Sequence, residues 1–251
     1  MGSSAVIGRA RAAYVALVAV VAGIVLVVGL VAGLGLIWAI LAGLVLGLAA
    51  GAAIYLTADS KALSALGAQP LAASTYPRLE NLIDGLTVAH GFRSPALYVI
   101  DDAAPNAAVV GRTPQHSSLI LTTGLLERLE RVELEGVLAH ELTRIRSRQT
   151  FVNVTVATLV GRPLGFADGF ATWLAGHLVS PDTPVLTDLA GASITRYPPG
   201  LAGALVSMRK DGRVVKSNPR AYRHLWLNVP DSPIIEQTFT LDDRIAVLQE
   251  L

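Results

Sequence analysis

Residues 123–149 read TGLLERLERVELEGVLAHELTRIRSRQ, and this stretch decides the architecture of the main domain. It predicts a helix with Thr123 as a plausible N-cap and a break near Arg131, where the apolar pattern restarts. The second half carries His140 and Glu141 side by side. A histidine and a glutamate in succession on a helix form part of a metal-binding pattern, so these two residues are the first candidates for a metal site.

In the pattern H-E-x-x-H, two imidazoles lie one helical turn apart and bind one zinc ion, while the glutamate polarises the bound water. His140 and Glu141 fit this pattern, but position 144 is arginine. A guanidinium stays charged at working pH and offers no lone pair to a metal. Arg144 therefore places a positive charge where the dication would bind, and the pattern predicts an incomplete metal site.

The composition of the 251-residue chain indicates a membrane protein. Charged residues make up 16%, against about 25% in ordinary soluble domains, and the mean hydropathy is +0.53. A net charge of +1 provides no basic field, so no nucleic-acid partner is expected. The chain has no cysteine, which excludes disulfides and thiolate metal sites.

The uncharged stretch 12–56 predicts a transmembrane helical hairpin. A single helix of this length would extend roughly 68 Å at about 1.5 Å per residue, whereas the hydrocarbon core is about 30 Å thick, so two spans fit. Gly33 and Gly35 favour a reversal between them. Gly43, Gly47 and Gly51 recur every four residues. This spacing either lets two helices approach closely or reflects the abundance of glycine in membrane spans. A signal peptide is the alternative, but its apolar core should be only about 7–15 residues long.

We divide the chain into an N-terminal tail (1–11), the hairpin (12–57) and a main domain (58–251). Arg9 and Arg11 precede the first span, and further basic residues follow the second. The positive-inside rule then places both ends in the cytoplasm. The prediction is a multi-pass protein of the plasma membrane with a cytoplasmic main domain.

The main domain is predicted to be α+β and mostly helical. Strands are predicted at 96–101, 106–110 and 117–122, arranged as a small β-meander. Helices are predicted at 77–91, 188–194, 198–208 and 241–251. The apolar segment 151–180 is interrupted at Gly161-Arg162-Pro163, which predicts helices at the membrane surface or, alternatively, a re-entrant hairpin.

Several motifs, in order, resemble the M48 family of integral-membrane zinc peptidases, in its HtpX-like branch. Residues 105–149 resemble its N-A-F strand (with Ala108 in place of the phenylalanine), G-R turn, T-x-G-L-L segment and H-E-L-x-H helix. Three later motifs also match: residues 195–201 (TRYPPGL), 224–226 (HLW) and 242–245 (DDRI). The resemblance covers nearly the whole chain and implies a zincin-type domain after two transmembrane helices.

The resemblance also implies where the other catalytic groups belong. The third zinc ligand of the family is a glutamate four residues before an aspartate; Asp188 matches the aspartate, but Pro184 occupies the glutamate position. A family histidine that assists at the oxyanion, six residues before the tail arginine, corresponds to Thr238. Four remnants survive: the single ligand His140, the general base Glu141, the supporting carboxylate Asp188 and the tail Arg244. The degenerate positions are Arg144, Pro184 and Thr238.

A single imidazole does not hold zinc at cellular metal levels. We therefore expect no cofactor, and zinc only if the site is unconventional. The other histidines are interpreted as structural rather than as replacement ligands; they are His90, His116, His177 and His224.

A buried guanidinium needs a carboxylate partner. We therefore predict that Arg144 pairs with Asp188 or with Glu141 and replaces the positive charge of the metal. The alternative is that Arg144 points into solvent and that the cavity has collapsed.

A peptide-binding edge is predicted on the strand that begins at Asn106, Ala107 and Ala108. An extended peptide can add to an exposed strand edge by backbone pairing, as active members of the family are thought to bind substrates. The edge could equally be covered by a loop or a partner, or be inert.

The leading functional hypothesis is a catalytically inactive M48-like membrane protein that serves as a structural or regulatory subunit. Its expected partners are the lipid bilayer and other integral membrane proteins in a hetero-oligomeric complex, because an apolar segment such as 151–180 needs cover. The alternatives are an active zinc endopeptidase of membrane-protein quality control and a membrane protein that binds peptides without cutting them.

Overall fold

The computed structural model describes residues 3–147, 150, 183–217, 219–229 and 239–251. Its helices are α1 (Ser3–Val31), α2 (Leu36–Leu66), α3 (Pro77–His90), α4 (Thr123–Arg128), α5 (Arg131–Arg146), α6 (Thr183–Thr195), α7 (Pro198–Asp211) and α8 (Leu241–Gln249), with a 3-10 turn at Arg220–Leu225. Its strands are β1 (Gln69–Pro70), β2 (Ala96–Ile100), β3 (Ala107–Thr113) and β4 (His116–Thr122). The described part is α+β and mostly helical, as predicted. The predicted membrane segment 151–180 lies outside the described residues, as does Thr238.

Helices α1 and α2 form an antiparallel hairpin whose reversal lies at the predicted place. Gly33 has a φ of +82°, which glycine adopts without strain. A Cβ atom on Gly43 would lie 2.6 Å from the carbonyl oxygen of Ala22, and one on Gly47 would lie 2.8 Å from that of Val18. The glycine face therefore allows the two helix backbones to touch, so it is used within the hairpin itself.

Helix α2 joins the hairpin to the main domain. Among the helices that the structure describes, it is the one long and apolar enough to cross a membrane, and Val18–Val31 is a shorter apolar stretch. The helix does not stop at residue 57, where we predicted the end of the hairpin. Its last turns bury Ala58, Ala62 and Leu66, which recur every four residues and pack with the sheet.

The sheet is mixed, so the predicted meander is wrong. The strand order is β1-β2-β4-β3, with β2 parallel to β4 and β3 antiparallel to β4. In the connection after β2, Asp102 accepts hydrogen bonds from the N–H groups of Ala104 (2.9 Å) and Lys216 (2.7 Å). The chain then crosses to the far side of the position of β4, where β3 begins. The two-residue strand β1 was not predicted, since it is too short to show alternation.

The predicted break between α4 and α5 is confirmed, because α5 begins at Arg131. The N–H of Glu130 donates to the carboxylate of Glu133 (2.9 Å), which stabilises this start. The N-cap of α4 is Thr122 rather than the predicted Thr123, since the Thr122 hydroxyl accepts a hydrogen bond from the N–H of Leu125.

Helix α5 lies at the centre of the main domain and packs against α3, α6, α7 and β3. Two glycines permit close approaches. A Cβ atom on Gly136 would lie 2.5 Å from the backbone nitrogen of Leu201 in α7, and one on Gly191 of α6 would lie 2.8 Å from the Cα of His140. These contacts enclose α5, so polar groups on it are removed from water.

We predict that Gly47→Val destabilises the hairpin, because the Val18 carbonyl leaves no room for a side chain. Overpacking of this kind costs about 1–3 kcal/mol. Gly23→Val is the matched control, since nothing lies within 4 Å of a Cβ atom there. In thermal unfolding of the purified full-length protein in detergent, the Gly47 variant should melt roughly 2–4 °C lower per kcal/mol lost. Equal midpoints for the two variants would contradict the packing described above.

Candidate functional site

The three chemically suggestive side chains of α5 all lie in the protein interior. Their exposed fractions are 3% for His140, 0% for Glu141 and 7% for Arg144. The close packing of α6 and α7 on α5 explains this burial. An imidazole, a carboxylate and a guanidinium that have left water each require hydrogen-bond partners, so the site is described by how they are satisfied.

Arg144 pairs with Glu141, as one of the two predicted arrangements requires. Its Nη1 donates to Oε2 of Glu141 at 3.0 Å and to Oε1 at 3.2 Å. The same nitrogen donates to the carbonyl oxygen of Leu225 at 2.8 Å. The solvent-exposed alternative is therefore wrong. Asp188 is not the partner of Arg144, because that carboxylate is engaged elsewhere.

Asp188 on α6 holds His140 and Arg244. Its Oδ1 lies 2.8 Å from Nδ1 of His140. Arg244, on α8, donates to both carboxylate oxygens of Asp188, from Nε at 2.7 Å and from Nη2 at 2.8 Å. The remaining Nη1 of Arg244 donates to the carbonyl oxygen of Leu227 at 2.8 Å. The two-pronged geometry is the strong form of an arginine–carboxylate pair, so α6 and α8 are tied together beside α5.

Burial raises the pKa of the Asp188 carboxyl, but the charge and hydrogen bonds of Arg244, with the hydrogen bond from His140, outweigh it and lower the pKa to about 2. Asp188 is therefore ionised at neutral pH. The Asp188 carboxylate, 2.8 Å from Nδ1 of His140, faces that edge of the ring and orients it.

These residues do not fit a zinc ion. His140 keeps the orientation of a metal ligand, because its Nδ1 faces a carboxylate. One turn later, Arg144 presents a guanidinium, which has no lone pair for a metal and is bound to Glu141. Pro184, one turn before Asp188, has no ligand atom in its side chain. Among the residues that the structure describes, no three His, Asp or Glu side chains meet as a metal-binding group.

The predicted peptide-binding edge of β3 is covered by the chain itself. Ala108 pairs with Ile120 of β4 on one side and with Trp226, antiparallel, on the other. Ala107 and Ala108 are fully buried, and Asn106 is nearly so. Of the alternatives left open by the sequence, the structure thus places an internal segment there, and peptide binding at this edge would require the segment to leave.

The segment at residues 225–228 is the part of the site that sequence reasoning missed as such. Its Leu225 and Leu227 act through backbone carbonyls, which any residue type supplies. The motif His224-Leu225-Trp226 indicates only the resemblance to the family. The one specific signal is Asn106, whose side-chain amide bonds to the backbone carbonyl and N–H of Asn228.

The other predicted positions contribute no metal ligand in the described part. His224 is buried in the 3-10 turn, whereas His90 and His116 are exposed. His177 and Thr238 lie outside the described residues.

Comparison with known proteins agrees with the motifs. The model of Peptidase family M48 matches residues 73–173. The chain is 32% identical over 219 residues to "Protease HtpX homolog" of Tropheryma whipplei (strain Twist), over 74% of this chain and 75% of that protein. It is 35% identical over 193 residues to "Protease HtpX homolog" of Acidiphilium cryptum (strain JF-5), over 65% and 67% of the two chains. These matches confirm the resemblance: the chain belongs to peptidase family M48 and is an HtpX-like member of it.

Proposed function

We propose that this chain is an HtpX-like pseudopeptidase of the plasma membrane that acts as a structural or regulatory subunit of a membrane protein complex. The observation that carries the proposal is the buried ion pair of Arg144 with Glu141. The carboxylate that would polarise a metal-bound water is bound instead to a cation at the second ligand position. The same ion pair thus engages Glu141, the expected catalytic base, and Arg144, at the expected position of the second metal ligand.

The loss of ligands disfavours a zinc ion beside this pair. A complete set of ligands can supply about 10–16 kcal/mol in structural zinc sites. His140 offers a small part of that set, and Arg144 has no lone pair with which to replace the second ligand. The carboxylate of Glu141 is bound to Arg144.

The hairpin supports a membrane location. α2 has the length and composition of a membrane span, and most of its large apolar side chains before Leu56 are exposed in the isolated chain. Its partner α1 packs on it through the glycine face. With Arg9 and Arg11 in the first turns of α1, ahead of its apolar stretch, the positive-inside rule favours two spans, both ends in the cytoplasm and a cytoplasmic main domain.

A subunit role follows from what the chain retains and what it lacks. The hairpin keeps an apolar surface that requires lipid or protein cover. The ion pairs Arg144–Glu141 and Arg244–Asp188 hold together the helices of the main domain. A scaffold of this kind can still bind other integral membrane proteins through the hairpin or the main domain. We therefore place its function in a hetero-oligomeric complex rather than in proteolysis.

One observation favours a second candidate, an active zinc metalloendopeptidase of membrane protein quality control with an atypical site. His140 is still oriented by Asp188 as a metal ligand would be. For this function, two further ligands would have to come from residues other than Arg144 and Pro184. Zinc content and proteolysis separate the two candidates.

We predict that the purified full-length protein, equilibrated with zinc in detergent, retains far less than one zinc per chain and does not cleave casein. His140→Ala should change neither value, because no functional metal site is present. The double variant Arg144→His with Pro184→Glu is the positive control, since it restores two ligand side chains, and it should bind more zinc than the natural chain. One zinc per chain, lost together with casein cleavage in His140→Ala, would establish the second candidate instead.

We further predict that the tagged chain, extracted from its native membrane in mild detergent, elutes with at least one stoichiometric partner polypeptide. Static light scattering during size-exclusion chromatography should give a protein mass above 26.3 kDa for the complex. An unrelated two-span membrane protein with the same tag identifies non-specific companions. A monomer without any specific companion would contradict the subunit role, even if zinc and proteolysis were both absent.

A further inference from the structure

The outer edge of β3 is filled by four residues from the far end of the chain. Residues 225–228 run antiparallel to β3, with Trp226 opposite Ala108. The N–H of Leu227 donates to the carbonyl oxygen of Ala107 at 2.7 Å. This is the backbone pairing that an added peptide strand would make, so the edge already has an occupant.

An asparagine pair extends the contact by one residue. Nδ2 of Asn106 donates to the carbonyl oxygen of Asn228 at 2.8 Å, and the N–H of Asn228 donates to Oδ1 of Asn106 at 3.1 Å. The side chain of Asn106 therefore imitates the backbone of a strand residue. Because both hydrogen bonds are made by one buried side chain, the end of the segment is held in a single register.

Two buried arginines, Arg144 and Arg244, also donate hydrogen bonds to this segment. Nη1 of Arg144 donates to the carbonyl oxygen of Leu225, and Nη1 of Arg244 donates to that of Leu227, both at 2.8 Å. Each guanidinium is itself fixed by a carboxylate, Glu141 or Asp188. The donors are thus oriented before they meet the segment, and hydrogen bonds from charged groups are stronger than neutral ones.

We propose that residues 225–228 are a built-in occupant of the β3 edge, locked there by Arg144 and Arg244, and that they close this edge to peptides from other proteins. The occupant is a segment of this same chain. Arg144 therefore has two effects at once: it removes a metal ligand and it fastens the segment that covers the edge. The inference goes beyond the proposed function, since it excludes the β3 edge as the surface through which a partner protein is bound.

Hydrogen–deuterium exchange of the full-length protein in detergent tests the lock in two steps. In the natural chain, the amides of residues 225–228 should exchange as slowly as those of β4. Exchange as fast as in the exposed loop at residues 212–214 would overturn the proposal without any variant.

In Arg144→Met, exchange of the peptide covering residues 225–228 should become at least ten-fold faster, because the segment loses its tie to α5. Peptides from α3 serve as the internal reference for global unfolding, and the acceleration at residues 225–228 should exceed theirs at least ten-fold. Arg128→Met is the matched control, since Arg128 pairs with Asp211 and does not contact the segment; it should leave residues 225–228 unaffected. An unchanged rate at residues 225–228 in Arg144→Met would overturn the lock.

If Arg144→Met fails to fold, the α3 reference reports it and the first step decides the matter. Exchange measures neither zinc binding nor proteolysis. The lock can therefore be wrong while the pseudopeptidase proposal holds, or the reverse.

Discussion

The buried pair of Arg144 and Glu141 is the constraint on which the site depends. A guanidinium inside the domain must be matched by a carboxylate, since an unpaired buried charge would cost several kcal/mol. Glu141 supplies that carboxylate from the preceding turn of the same helix. The bond from Arg144 to Leu225 then connects the pair to a segment 81 residues further along the chain. One substitution in a zinc-binding pattern thus acquires a structural role.

A second pair, Asp188 with Arg244, completes the arrangement. It connects α6 to α8 and orients His140. Arg244 also donates a hydrogen bond to the carbonyl oxygen of Leu227, in the segment at residues 225–228. The low pKa of Asp188, which follows from Arg244 overcoming the effect of burial, keeps this pair charged at any physiological pH. Together the two pairs connect α5, α6, α8 and the segment at residues 225–228.

Much of this could be predicted from the sequence where the signal is local. The hairpin follows from a long uncharged run and the reversal from its glycines. A carboxylate partner for Arg144 follows from the need to neutralise a buried charge, with Asp188 and Glu141 as the alternatives. The strand order could not be predicted, because the apolar patterns of three short strands do not specify which strand pairs with which. The covering segment could not be predicted either, since it is held mostly through backbone carbonyls that carry no residue signature. The role of Asp188 came only through the family resemblance, as no local pattern links it to residues 56 positions away.

The central claim is that Arg144 and Glu141 stabilise the domain as a unit, and a double-mutant cycle measures this directly. The free energy of unfolding in detergent is determined for the natural chain, for Arg144→Met, for Glu141→Gln and for the double variant. Each single change leaves a polar or charged group without its partner, so each should cost about 3–5 kcal/mol. The double variant should cost less than the sum, with a coupling of about 1–3 kcal/mol. Losses that add to within about 0.5 kcal/mol would contradict the claim.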